Sequence, residues 1–247
     1  MIQSVLFDLD GTLKINVPSG LDAFVNYARE QGIPLDEPAI RAGERWNHWY
    51  WARSAALAED LAQGEELDFW VRYSVRLLQA LQVAEVDPLV AANITQRFAA
   101  YSPKACLNDG AHETLTALRA AGYTLGLVSN RSTPLQQAVS DLGLDGCFAF
   151  TLAAGEVSMW KPDPGILTEA IRRSNGQPET SIYVGDNYYA DVISARAAGM
   201  VPVLLDPRAI FPEADCRVIG RLPELVDWLA PQAAPDPSVR GEMPPAR

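Results

Sequence analysis

Five short apolar runs, at residues 2–8, 123–129, 147–152, 181–185 and 201–205, constrain this chain more than any other feature. Each has the length and the Val, Ile, Leu, Phe and Tyr content of a strand buried on both faces. From residue 109 onward they alternate with helical stretches. One runs from Asp109, a candidate N-cap, to Ala121, and a second from Thr133-Pro134 to Leu142. A third covers Pro164–Ser174, and a fourth covers 189–198. Gly122, Gly143, Gly176 and Gly199 lie just past their ends, where helices need a left-handed residue. Strand–helix alternation predicts an α/β fold with a doubly wound parallel sheet. Such a sheet gathers the loops after its strands along one edge, the usual place for a ligand.

The spacing adds a second element. A strand–helix–strand crossover needs about 30 residues, yet 121 positions separate Asp8 from Ser129. Residues 16–103 are surplus to it and read as helical at Gly20–Gln31, Glu37–Gln63, Asp68–Leu81 and Pro88–Tyr101. They predict an inserted all-helical domain with hinges near Asn16–Pro18 and Ser102–Pro103. The core is then 1–15 and 104–230. The segment 231–247, rich in proline and small residues, is expected to be a disordered tail.

A net charge of −11 argues against nucleic acid as a partner. The amino terminus lacks a basic leader, and no apolar run reaches the ~20 residues of a membrane span. Cys106, Cys147 and Cys216 share no ligand spacing. The expectation is a cytoplasmic protein with reduced thiols, monomeric or homodimeric, without a membrane partner.

The predicted edge receives Asp8 and Asp10 after the first run, Ser129 and Asn130 after the second, Lys161 before a helix, and Asp186 and Asp191 after the fourth run. Four carboxylates cannot stay ionised together without a cation. Hard oxygen donors suit Mg²⁺, which completes its shell with water and a substrate phosphate. The cluster thus predicts a metal, and the metal a phosphate.

The segments DLDGTL at 8–13, VSN at 128–130, KPDP at 161–164 and GDNYYAD at 185–191 resemble the four ordered motifs of the haloacid dehalogenase superfamily. The insert resembles the helical cap of its first subclass. The resemblance implies a Rossmann-like core and a Mg²⁺-dependent phosphatase acting on a small phosphorylated metabolite. Asp8 would be the nucleophile and Asp10 the general acid and base. Ser129, Lys161 and the amides of Leu9, Asp10 and Asn130 would hold the phosphoryl group. Asp186 would ligate the metal together with the Asp8 side chain and the Asp10 carbonyl, and Asp191 would hold the metal's waters or Lys161. Dehalogenases of the superfamily lack the second aspartate, so Asp10 favours phosphoryl chemistry. A phosphonate-cleaving relative would need a cap lysine, and only Lys14 is near. A phosphomutase of the same architecture remains open on the motifs, as does a silent anion binder, although a binder has no use for an acid at Asp10. A receiver domain is discarded because its phosphoacceptor follows an interior strand of a smaller unit.

In the insert, Trp46, His48, Trp49 and Arg53 are candidates to contact substrate, with packing in the helical core as the competing role. His112 reads as a surface residue. Arg131 reads as solvated, the alternative being contact with an anionic substrate.

Overall fold

The computed structural model describes residues 2–64 and 66–230. Strand β1 (Ser4–Phe7) lies centrally in a six-stranded, all-parallel sheet. Its partners are β4 (Thr124–Ser129), β5 (Phe150–Ala153), β6 (Ser181–Gly185), β7 (Val201–Leu205) and β8 (Arg217–Ile219), in the order β5-β4-β1-β6-β7-β8. The five predicted runs are its first five strands; β8, three residues with Arg217 and Val218 exposed, is too short to announce itself.

Alternation along β1 splits the interior in two. Val5 and Phe7 enter a cluster with Leu115 and Leu118 of α6 (Ala111–Ala120), Val139 of α7 (Gln136–Asp141) and Leu225 of α11 (Pro223–Leu229). Leu6 enters the other, with Ile166 and Ala170 of α9 (Gly165–Ser174) and Ala195 of α10 (Ile193–Ala197). All three strand residues are fully buried, each contributing about 1.5–3 kcal/mol by area. A four-residue helix, α8 (Ala154–Val157), follows β5 directly.

Between β1 and β4 the chain leaves along β2 (Lys14–Val17) and returns along β3 (Lys104–Leu107), an antiparallel pair absent from the sequence reading. Between them lie α1 (Gly20–Glu30), α2 (Glu37–Trp51), α3 (Ala55–Leu61), α4 (Glu66–Ala80) and α5 (Pro88–Arg97). These helices bury their own cluster, including Leu21, Phe24, Ile40, Leu77, Leu78 and Ile94.

Three boundaries differ from expectation. The helix expected over 37–63 is two helices: Arg53 turns left-handed (φ 57°), and the Ser54 hydroxyl then caps α3 by accepting from the Leu57 amide at 3.1 Å. Gly110, not Asp109, caps α6, because its φ of 74° is open to glycine. Helix α7 begins at Gln136, after the chain bends at Ser132–Thr133 and passes Pro134 without helical structure. The predicted tail at 231–247 lies outside the described residues. No described helix is long and apolar enough to cross a membrane.

Candidate active site

Because all six strands run parallel, Asp8, Asn130 and Asp186, each one residue past its strand, share one edge. Lys161 reaches them from the loop before α9. Its Nζ donates to Asp8 Oδ1 and Asp191 Oδ1, both at 2.7 Å, and to the Tyr183 hydroxyl at 2.8 Å. Only 2 % of Lys161 is exposed, so this ammonium depends entirely on those partners. Burial alone would strip its proton, but Asp191 and Asp8 outweigh it and hold the pKa well above the ordinary value. The Asn130 side chain brackets the lysine backbone, accepting from Lys161 N at 2.8 Å and donating to its carbonyl at 2.9 Å.

Asp8, Asp186 and Asp191 bring carboxylate oxygens within 4.8 Å of one another. Burial outweighs the pull of Lys161 and pushes Asp8 up. Burial, then repulsion from Asp191, pushes Asp186 up to about 7. Asp186 is steadied by the Thr12 hydroxyl at 3.2 Å, and Asp191 accepts from the Asn187 amide at 2.9 Å.

Two glycines make room for these acids. A Cβ on Gly11 would lie 2.2 Å from Asp186 Oδ2, and one on Gly185 2.2 Å from Asp191 Oδ2. Gly11 also has φ 93°, which side chains disfavour. Gly11→Ala is therefore expected to displace the Asp186 carboxylate and to weaken by at least ~10-fold any divalent cation these acids hold, measured by calorimetric titration with Mg²⁺. Unchanged affinity would mean that Asp186 holds no such cation.

Asp10 faces outward, 43 % exposed. Burial acts to raise its pKa, but bonds from Arg131 (Nε to Oδ2, 2.7 Å; a second nitrogen to Oδ1, 2.8 Å) and from Lys14 at 2.9 Å outweigh that and lower it. Arg131 is thus paired with Asp10 while part of its side chain stays exposed, which corrects a reading of it as merely solvated; two donors in one plane match a carboxylate better than water does. The amides of Leu9, Asp10 and Asn130 donate to no described residue, nor does the Ser129 hydroxyl. They are open donors at the ends of two neighbouring strands.

The four insert candidates separate. His48 lies at the site, its Nδ1 4.0 Å from Asp186 Oδ2 and its carbonyl accepting from Asn187 Nδ2 at 2.9 Å. Trp46 instead stacks on Tyr50 at 4.8 Å, inside the helical block. Arg53 lies over the Trp160 ring at 5.0 Å. Trp49 packs at 6.4 Å from Trp46. Neither these tryptophans nor Arg53 line the cavity beside the acids; Glu44, Asn47, His48 and Trp51 do. Those four recur at three- and four-residue spacing, one face of α2, and that spacing was the signal available for Asn47 and Trp51. Thr12 stands within the DLDGTL segment but was given no role, and no sequence signal marked Tyr183.

A buried lysine among carboxylates, beside open backbone amides at a sheet edge, has the chemistry to hold an oxyanion together with a cation. The chain belongs to the haloacid dehalogenase-like hydrolases, whose sequence profile matches residues 2–199. It is 31 % identical over 210 residues to human haloacid dehalogenase-like hydrolase domain-containing protein 3, covering 82 % of this chain and 81 % of that one. It is 29 % identical over 207 residues to a phosphoglycolate phosphatase of Rhodospirillum rubrum, covering 83 % and 79 %. A crystal structure of a 2-haloacid dehalogenase from Pseudomonas syringae superimposes with a TM-score of 0.54 at 29 % identity, over 93 % and 99 % of the two chains.

Proposed function

We propose that this hydrolase is a Mg²⁺-dependent phosphatase that cleaves a phosphate monoester through an aspartyl-phosphate on Asp8. The observation that carries the reading is Asp8 itself: its Oδ1 is held by Lys161 at 2.7 Å, and its Oδ2 accepts from no described side chain. The free oxygen attacks phosphorus, and the P–O bond to the alcohol breaks. Asp10, two residues on, gives its proton to the departing oxygen. It then takes a proton from the water that hydrolyses the acyl phosphate, returning the Asp8 carboxylate and releasing inorganic phosphate. Asp10 must give up Arg131 to carry that proton, since the pair favours the ionised form. Leu9, Asp10, Asn130 and Ser129 supply donors for the phosphoryl oxygens, and Lys161 offsets their charge. Dehalogenation at carbon has no need of Asp10, which favours the phosphatase over the chemistry named for the Pseudomonas protein.

The donor set fits the metal: three clustered carboxylates of hard oxygen, with glycines clearing the space beside two of them. Asp8, Asp186, Asp191 and the Asp10 carbonyl would hold Mg²⁺ or its waters. When bound, it supplies positive charge that draws the phosphate to the carboxylate nucleophile. The helical block, whose Arg45 pairs with Glu213 and Tyr189 of the core, acts as a cap that excludes water. Three free thiols agree with a cytoplasmic setting.

The pKa of Asp186 gives the first test. In metal-free protein Asp186 keeps its proton up to about pH 7, against 3.8 for an ordinary carboxyl. Between those values the folded state binds more protons than the unfolded chain, so this group's contribution to stability falls as pH rises through that window. Mg²⁺ must displace that proton at pH 6 but not at pH 8. Affinity is therefore expected to be about tenfold weaker at pH 6, and the Mg²⁺-induced rise in Tm larger at pH 8. A Tm rise equal at both pH values removes Asp186 from the metal site. The function itself is tested by phosphate release from a panel of monoesters, expected to stop on EDTA addition and to resume with excess Mg²⁺.

A further inference from the structure

A cavity of ≈ 950 Å³ opens from Gly11 and Asp186 into the helical block. It is at the upper end of the ~300–1,000 Å³ of small-molecule sites. Phe24, Trp51, Trp70, Tyr73, Phe98 and Tyr101 line it. Its uncharged polar groups are largely engaged: Ser74 and Thr95 bond each other at 2.8 Å, and Asn47 accepts from Tyr73 at 2.7 Å.

The charge on its wall is one-sided. Asp22, Glu44, Asp186 and Asp206 line it, against a single guanidinium, Arg208. Arg208 already lies 3.7 Å from Asp22 and 3.3 Å from Glu44. With Asp186 given to the cation, Asp22, Glu44 and Asp206 still outnumber Arg208, so a carboxylate or second phosphate on the alcohol would meet net negative charge, in a low-dielectric setting that magnifies the repulsion. A neutral ring would instead meet aromatic faces and edges.

We infer that the substrate is a monoester of a bulky, uncharged, aromatic-bearing alcohol, lodged in this chamber while its phosphate meets Asp8. The inference rests on the phosphatase reading and adds the class of leaving group.

The test compares 2-phenylethyl phosphate with ethyl phosphate and 2-phosphoglycolate, using the full chain with Mg²⁺. The first two release alkoxides of similar reactivity, so their ratio of kcat/KM reports the chamber. The expected ratio is at least ~10, with 2-phosphoglycolate poorer than either. Trp70→Ala is expected to cut the ratio at least ~5-fold. The ratio is insensitive to the fraction of enzyme that folds. Brisk hydrolysis with a ratio near one, or with 2-phosphoglycolate preferred, overturns the inference and leaves the phosphatase standing. Turnover of none of the three overturns the assigned substrate, and the wider monoester panel separately decides the phosphatase reading. Quenching of tryptophan fluorescence by 2-phenylethanol then decides the chamber alone: quenching upholds an aromatic-binding cavity, and its absence rejects it.

Discussion

Asp8→Asn is expected to lower kcat by at least ~10⁴-fold while the protein stays folded. An amide has no charge with which to attack phosphorus, and groups acting as one catalytic unit lose nearly everything when the nucleophile goes. The fold should survive because Lys161 keeps Asp191 at 2.7 Å and Tyr183 at 2.8 Å. The substitution also removes a carboxyl whose ionisation burial opposes. Phosphate release and the thermal unfolding transition, measured on the same preparation, separate the two effects. Turnover within tenfold of the parent would remove Asp8 as nucleophile, whatever the Tm.

Lys161→Met should cost stability as well as turnover, and by an amount that depends on pH. It leaves Asp8 and Asp191 buried without their cation, and breaking such a pair typically costs about 3–5 kcal/mol. The cost is expected in full at pH 8 in metal-free protein, where the carboxyls must ionise. At pH 5 it should shrink by more than ~1 kcal/mol, because Asp8 and Asp186, already raised by burial, can keep their protons. Loss of charge balance at the phosphoryl group should lower kcat about 10²–10³-fold. Urea unfolding at the two pH values checks the stability effect. Equal losses would mean that Lys161 acts through packing against Tyr183, not through its charge.

The sheet was legible because its strands are buried on both faces and so carry runs of apolar residues, whereas β2, β3 and β8 are short, partly exposed and polar, and gave no pattern. The acids were legible for a related reason: a strand end is marked by the polar residue that follows it, and Asp8 and Asp186 each follow an apolar run. Arg131 was misread because its partner, Asp10, is 121 positions away, and no local pattern reports a partner at that range. Trp46 and Trp49 take the packing role that the sequence held open beside substrate contact. The face of α2 that meets the cavity is set by which residues pack on α4, through Trp46 and Tyr50 against Tyr73.

The sequence by itself determined the order of the strands along the chain and the position of the helical insert, and it nominated Asp8, Asp10, Ser129, Lys161, Asp186 and Asp191, of which Asp8, Lys161, Asp186 and Asp191 meet in the structure. Apolar periodicity and the polar residues that interrupt it are written locally, so they survive in one dimension. Only the tertiary structure decided that Lys161 bridges two acids and Tyr183, that Arg131 grips Asp10, and that six rings wall a chamber with one committed cation. Those outcomes depend on distances between residues remote in sequence, and the packing of helices on a twisted sheet sets them.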